Sequence, residues 1–232
     1  MNEKGQPQRP IREDIMKRSE VNTAIRQAEA ILATHQWALP NWARWNLDDH
    51  KANPVQSAWL AERQLGWDVT DFNQGRFSER GLTLFCVRNG KQGDPSERPY
   101  AEKLLFVGVD QETPFHAHKV KLEDIIVRGA GTLCVEFTSD GFVGSDDMPE
   151  QVYIDGAVRP LLGAVHRLSA GQSITIPRGV QHRFWGEDQP VFVAEVSQCN
   201  DDNGDNYFLD EIGRFSDIEE DEAPHRILWN EA

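Results

Sequence analysis

The stretch Thr113–Gly129, TPFHAHKVKLEDIIVRG, places two histidines one residue apart and a glutamate five residues later, among strand-forming residues. Residues i and i+2 of a strand face the same side, so His116 and His118 are expected to point inward together. Glu123 lies an odd number of positions further along, and a turn through residues 119–121 would bring it beside the two histidines. The spacing therefore predicts part of a metal-binding site, which needs a further ligand from elsewhere in the chain.

That further ligand is predicted from a second stretch, GQSITIPRGVQHRFW, at residues 171–185. Its glycines and proline bracket a strand and a sharp turn, and His182 stands at the start of the strand that follows. Three imidazoles and one carboxylate suit a borderline divalent metal such as manganese, iron, cobalt, nickel or zinc. We therefore predict a metal site made of His116, His118, Glu123 and His182.

The rest of the chain favours a mainly β fold with helices only near the N-terminus. From Gly81 onward, short apolar runs are punctuated by Gly, Pro, Asp and Asn, the pattern of an antiparallel β-sandwich or jelly roll. Residues 1–15 are predicted to be a flexible tail, and residues 16–80 a helical and aromatic arm packed on the barrel. In this arm we expect a helix capped by Ser19 that ends near Gln36. Residues 81–232 are assigned to the barrel and an acidic C-terminal segment.

Composition excludes several classes of function. The net charge is −14 over 232 residues, which disfavours binding to nucleic acid or to an anionic membrane surface. The sequence contains no run of about 18 apolar residues that could span a bilayer. The N-terminus also lacks the apolar core of a secretory signal, and the three cysteines have no paired spacing, so we expect a cytoplasmic protein. The acidic run at residues 219–222 is interpreted as a solvated face.

Both histidine stretches resemble the two sequence motifs of the cupin superfamily, which implies a jelly-roll barrel around the metal. Further segments resemble bacterial D-lyxose isomerases from about Met16 to the C-terminus. These segments are MKRSEVNTAI, LPNWARW, HAHKVKLEDIIVRG, IPRGVQHRFW, EVSQCNDDNGDNYF and IGRFSDIEED. Because they include stretches without any metal ligand at both ends of the chain, this resemblance is more specific than the cupin motifs alone.

The resemblance implies a metal-dependent aldose–ketose isomerase that interconverts D-lyxose with D-xylulose, and D-mannose with D-fructose. A divalent metal, with Mn²⁺ expected, would polarise the carbonyl as a Lewis acid. A base would then move a proton between C1 and C2 through a cis-enediol. We also expect a homodimer with a small-molecule sugar as its substrate.

Four residues are candidates for the remaining chemistry. Lys121 lies in the short connection before Glu123 and is a catalytic candidate, and Lys103, in an otherwise apolar strand, is a candidate for substrate binding. In the D-lyxose isomerase family that this sequence resembles, lysines at these positions contact the substrate. Glu211 is the preferred carboxylate base, delivered by a C-terminal segment that folds over the barrel mouth, and Glu195 in VFVAEVS is its rival.

Three other functions use the same ligands. An iron-dependent cupin dioxygenase would need an apolar pocket, and a non-enzymatic sugar-binding cupin would not need the metal. A phosphosugar isomerase would need a cluster of cations for its dianion. Candidates for that cluster are Arg128, Arg167, Arg178 and Arg183.

Overall fold

The fold is described from a computed structural model that covers residues 15–129 and 131–231. The predicted flexible tail lies outside the described residues except for Ile15. The helices are α1 (Arg18–Thr34), α2 (Leu47–Ala52) and α3 (Pro54–Ala61), with a 3₁₀ turn at Asn41–Arg44. No helix in the described ranges is long and apolar enough to cross a membrane.

Strands make up most of the regular structure. They are β1 (Met16–Lys17), β2 (Gly66–Thr70), β3 (Leu82–Arg88), β4 (Tyr100–Val107), β5 (Thr113–Ala117), β6 (Glu123–Val127), β7 (Leu133–Thr138), β8 (Gln151–Ile154), β9 (Ala157–Pro160), β10 (His166–Leu168), β11 (Ser173–Ile176), β12 (Gln181–Gly186), β13 (Val191–Gln198), β14 (Tyr207–Phe208) and β15 (Ile218–Glu219). An eight-stranded sheet has the order β2-β3-β4-β13-β6-β11-β8-β9, and a five-stranded sheet has the order β10-β7-β12-β5-β14. All pairings within these two sheets are antiparallel. The predicted mainly β jelly-roll class is therefore confirmed.

One hydrophobic core fills the space between the two sheets. It joins Leu105 and Val193 of the larger sheet to Val135 and Phe184 of the smaller one. Because side chains alternate along a strand, the neighbours of these residues point to the outer faces of the sheets. The metal-site candidates lie on strands β5, β6 and β12 or, for His118, directly after β5, and this core packs against those strands.

Helix α1 covers part of the outer face of the larger sheet and makes a second core. Val21, Ile25 and Leu32 recur at helical spacing and pack with Leu104 and Phe192. Burial of each such side chain contributes about 1.5–3 kcal/mol to folding. Both faces of strands β4 and β13 are therefore covered, which explains their continuous apolar runs.

The segment predicted to be a packing arm contributes one strand to the barrel itself. Strand β2 lies within residues 16–80 and pairs with β3 over five positions, from Gly66 opposite Cys86 to Thr70 opposite Leu82. The three helices are the part of this segment that lies outside the sheets. A five-residue strand that is buried on both faces has no alternating pattern, so the sequence did not separate it from the aromatic stretch before it.

The structure corrects the predicted cap of helix α1. Helix α1 begins at Arg18, and Glu20 accepts a hydrogen bond from the Lys17 N–H at 2.9 Å, so Ser19 is not the cap. The Ser19 hydroxyl instead donates to Asp221 at 2.7 Å. Helix α1 ends at Thr34 with His35 as its C-cap, close to the predicted end near Gln36.

The acidic run at residues 219–222 is not simply a solvated face. Glu220 lies 2.6 Å from the buried guanidinium of Arg18, and Glu222 accepts a hydrogen bond from Asn22 at 2.6 Å. The run therefore fixes the C-terminal segment to α1. A charge pattern shows only that these residues are polar, and their partners lie about 200 residues away in sequence.

Candidate active site

Strand pairing brings the three predicted histidine ligands together. His116 on β5 lies directly opposite His182 on β12, and their ring centroids are 4.2 Å apart. His118 follows β5, with its ring 5.2 Å from that of His116 and 6.0 Å from that of His182. All three side chains are buried, and one ring nitrogen from each lies within 4.8 Å of the others. This is the arrangement of a metal-binding triad.

The hydrogen bonds of the triad leave one nitrogen free on each ring. The Nδ1 atom of His116 lies 2.8 Å from the Pro114 carbonyl oxygen. The Nδ1 atoms of His118 and His182 lie 2.5 and 3.1 Å from the carbonyl oxygens of Asp205 and Val180. A carbonyl can only accept a hydrogen bond, so Nδ1 carries the proton and Nε2 keeps its lone pair. The Nε2 atom of His182 is buried and has no hydrogen-bond partner among the described residues. The donor set therefore fits a divalent metal.

The protonation of the triad agrees with this role. Burial lowers the pKa of His118 to about 3, with a further contribution from the nearby Lys121 ammonium. Burial also holds the pKa of His116 well below its usual range. Both rings are therefore neutral at physiological pH, and neutral imidazole is the form that binds metals.

Glu123 lies where the carboxylate ligand was expected. It opens strand β6 after a bend in the preceding connection, as predicted. Its Oε1 lies 3.1 Å from His182 Nε2 and 3.8 Å from His118 Nε2, while its Oε2 lies 2.6 Å from Lys121 Nζ. Burial alone would raise the pKa of Glu123, but the Lys121 ammonium beside it holds that pKa well below its usual range. A charged carboxylate therefore faces the triad.

Lys121 connects this carboxylate to a second one. Its Nζ lies 2.9 Å from Glu195 Oε1, and Glu195 also accepts a hydrogen bond from the Ser197 hydroxyl at 2.9 Å. Burial opposes the charge of Lys121, yet Glu123 and Glu195 together raise its pKa above the ordinary lysine value. The amine is therefore held protonated here and donates hydrogen bonds to both carboxylates.

A further group of charges lies beside the first. The Nζ of Lys103 donates to Asn200 Oδ1 at 2.5 Å and lies 3.8 Å from Asp202, which also pairs with Arg214 at 3.2 Å. Burial alone would raise the pKa of Asp202, but Arg214 and then Lys103 hold it well below the usual range. The Nη1 atom of Arg214 is buried and has no partner within the part of the chain that the structure describes. It is a free donor.

Most of these groups line one cavity, which has both polar and apolar residues in its walls. Its ionisable residues are His116, His118, Lys103, Lys121, Glu123, Glu195, Asp202 and Arg214. Its apolar residues are Phe72, Leu82, Leu84, Leu105, Ile125, Phe184 and Phe208. A sugar presents hydroxyl groups and C–H surfaces, and this combination of walls suits it.

Comparison with known proteins agrees with this chemistry. The family model for D-lyxose isomerase matches residues 16–232. The chain belongs to the D-lyxose isomerase family. It is 40% identical over 223 residues to a D-lyxose/D-mannose isomerase of Escherichia coli O157:H7, covering 93% of this chain and 98% of that protein. A D-lyxose/D-mannose isomerase of Serratia proteamaculans is 40% identical over 226 residues, with coverage of 93% and 97%.

Solved structures show the same fold at low sequence identity. The L-ribose isomerase of Cellulomonas parahominis, solved with L-ribose, has a TM-score of 0.63 and 20% identity, and covers 90% of this chain and 100% of its own. The L-ribose isomerase of Geodermatophilus obscurus has a TM-score of 0.62 and 17% identity, with the same coverage.

In this member of the D-lyxose isomerase family, the preferred base candidate lies away from the cavity. Glu211 is exposed and is not among the residues that line the cavity, whereas Glu195 is buried and lines it. In the turn that carries Glu211, Asp210 pairs with Arg80 at 2.7 Å and Ile212 packs against the core. The turn thus directs Glu211 to solvent, and the geometry favours Glu195 as the base.

Sequence reasoning missed three polar residues of the site in the segment that follows β13. Asp202, Asp205 and Arg214 lie in a turn-rich stretch without periodicity, so no pattern separated them from surface polar residues. The one useful signal was the apolar strand just before them, which carries Glu195. That segment adds the edge strand β14 next to β5 and places Phe208 opposite His116, but it does not bring Glu211 to the cavity.

Asp205 fixes the loop between the histidine pair and Glu123. Its carboxylate accepts backbone N–H groups of Lys119, Val120 and Lys121 at 2.8, 3.2 and 3.0 Å. Its own carbonyl oxygen is the partner of His118 Nδ1. One buried residue therefore orients both a metal-ligand candidate and Lys121.

Replacement of Asp205 by alanine is expected to destabilise the protein by about 2–3 kcal/mol, because three N–H groups lose a charged acceptor. Metal affinity should fall roughly tenfold, the effect typical of residues that orient ligands. Denaturant unfolding and metal titration measure the two effects. Asp210→Asn is the control, because its exposed ion pair with Arg80 contributes little. Equal effects of the two variants would contradict the role given to Asp205.

Proposed function

We propose that this chain is a metal-dependent aldose–ketose isomerase that interconverts D-lyxose with D-xylulose, and D-mannose with D-fructose. The observation that carries the proposal is the convergence of three buried imidazoles, each with Nδ1 hydrogen-bonded to a backbone carbonyl, beside the Lys121–Glu195 pair. Both curated relatives are named D-lyxose/D-mannose isomerase, which supports the choice of sugars.

His116, His118, Glu123 and His182 are proposed to hold the metal, with Mn²⁺ as the expected ion. Three imidazole nitrogens and one carboxylate would hold the ion and would allow it to take sugar oxygens as further ligands. When bound, the ion supplies Lewis-acid polarisation of the sugar carbonyl. The Nδ1 hydrogen bonds to backbone carbonyls keep the three rings oriented for this task.

Glu195 is proposed to move the proton between C1 and C2. Its Oε1 already accepts hydrogen bonds from Lys121 and Ser197, which fix the carboxylate. Its Oε2 has no hydrogen bond in the described structure and is the atom available to take the proton. The protonated Lys121 bridges Glu195 and Glu123, so it can stabilise negative charge that develops on the sugar oxygens of an enediol.

Lys103 and Arg214 are proposed to recognise the sugar hydroxyl groups further from the metal. Both line the cavity, and Arg214 carries a donor without a partner. Binding a hydroxyl oxygen would satisfy that donor, whose burial otherwise costs about 1–3 kcal/mol.

The competing functions have less support. Of the four arginines considered for a phosphate dianion, none is among the residues lining the cavity. Arg183 pairs with Glu112 and Glu136, and Arg167 pairs with Glu187. A dioxygenase would need an apolar pocket, whereas the walls of this cavity carry buried charges. The homodimer and the cytoplasmic location stay predictions.

A sugar panel tests the proposal. The protein is freed of metal with a chelator, reloaded with Mn²⁺, Co²⁺, Fe²⁺, Ni²⁺ or Zn²⁺, and incubated with free and phosphorylated aldoses and ketoses. We expect conversion of D-lyxose and D-mannose, with Mn²⁺ restoring most of the activity lost on chelation. Much faster conversion of mannose 6-phosphate would support the phosphosugar isomerase instead. Sugar binding without conversion under all five metals would support a binding protein.

A further inference from the structure

The loop after strand β2 holds an aromatic residue in an unusual backbone conformation. Phe72 has a φ of 56° and Asn73 a φ of 58°, both in the left-handed region. Side chains with a Cβ rarely adopt this region, and a bulky ring there is an outlier. Such conformations persist where the surrounding structure enforces them, and they are concentrated at functional sites.

Hydrogen bonds on both sides of Phe72 enforce the conformation. Its N–H donates to the Thr70 hydroxyl at 2.9 Å, and its carbonyl accepts from the Gly213 N–H at 3.2 Å. The Asp71 carboxylate accepts the N–H groups of Asn73 and Gly75 at 2.8 and 2.6 Å. The loop is therefore fixed locally, and it is also hydrogen-bonded to the segment that follows β14.

This conformation places the Phe72 ring in the wall of the sugar cavity. The ring is 2% exposed and meets the Phe208 ring edge-on, with centroids 5.6 Å apart. The Phe208 ring in turn lies 6.1 Å from that of His116. Phe72 thus stands one aromatic ring further from the triad than Phe208. Phe72 lines the same cavity as His116 and His118 of the triad.

We propose that Phe72 is a specificity-determining residue, whose ring limits the length of carbon chain that the cavity accepts beyond the two chelated carbons. The inference rests on the isomerase function proposed above and adds the contact that discriminates between five-carbon and six-carbon sugars. A pentose ends before the Phe72 ring, and the extra hydroxymethyl group of a hexose presses against it. One such group in a tight pocket changes relative rates by about 10–200-fold.

Removing the ring tests the inference. In Phe72→Gly the ratio of kcat/KM for D-mannose to that for D-lyxose should rise about tenfold over the wild-type ratio. Glycine adopts positive φ without steric cost, so the loop keeps its path. Phe72→Leu removes less volume and should raise the ratio by a smaller factor. This variant replaces the glycine variant in the test if the glycine variant fails to fold. Phe106→Leu is the control, because this buried ring stacks on Phe192 beneath α1, outside the cavity.

A binding measurement separates recognition from turnover. D-Mannitol and D-arabinitol are the polyols that correspond to the two sugars, and calorimetry gives their dissociation constants. In the Phe72 variants, but not in the control, binding of D-mannitol should become stronger relative to binding of D-arabinitol. Unchanged ratios for turnover and binding in folded Phe72 variants would overturn the inference while leaving the isomerase intact. If the wild-type protein converts neither sugar, the proposed function fails, and this inference fails with it.

Discussion

Replacement of His116 and His182 by alanine is expected to remove the bound divalent ion and to abolish isomerase activity. The two rings are direct neighbours across strands β5 and β12, and their loss leaves one imidazole and one carboxylate. Metal affinity should fall by more than the 10–100-fold typical of residues that only orient ligands. The measurement is the metal content per chain after dialysis, together with conversion of D-lyxose.

A matched control distinguishes loss of ligands from loss of a buried histidine. His166 on β10 is also buried, and it lies outside the triad. His166→Ala should therefore lose stability but keep its metal. Full metal occupancy in the His116→Ala, His182→Ala double variant would refute the site. Loss of metal in the His166 variant alone would show that the metal binds at a different place from the triad.

Replacement of Glu195 by glutamine is expected to lower kcat by about 10²–10⁴-fold, the usual contribution of a general base. Glutamine keeps the shape of the side chain and can still accept the Lys121 hydrogen bond, so metal and sugar binding should change little. In D₂O the wild-type enzyme should place deuterium at C1 of the ketose or C2 of the aldose. The variant should lose this exchange. Proton NMR of the products and metal titration measure both properties.

Glu211→Gln provides the matched control for Glu195. It makes the same chemical change at an exposed carboxylate outside the cavity, so kcat should remain near that of the wild type. The reverse result, with Glu211→Gln inactive and Glu195→Gln active, would restore Glu211 as the base. Complete retention of the substrate hydrogen during wild-type turnover would favour a hydride shift, in which no base takes a proton from carbon.

The sequence by itself determined the fold class and the metal-ligand candidates. Both follow from short-range periodicity, because a strand directs residues i and i+2 to one side and so pairs His116 with His118. The turn before Glu123 and the strand that carries His182 near its start also follow from local signals. The resemblance to D-lyxose isomerases then indicated the chemistry, and the family match over residues 16–232 confirmed it.

Only the tertiary structure decided which polar residues share the cavity. Glu195 and Glu211 are both carboxylates near the predicted site, and the difference between them is the direction in which each segment turns. Strand β13 carries Glu195 alongside β6 and toward Lys121, whereas packing of Ile212 leaves Glu211 in solvent. The contacts of Asp205 with the loop at residues 119–121 span more than 80 positions in sequence. Contacts of this kind depend on how the two sheets and the C-terminal segment pack together, and no local pattern of residues encodes them.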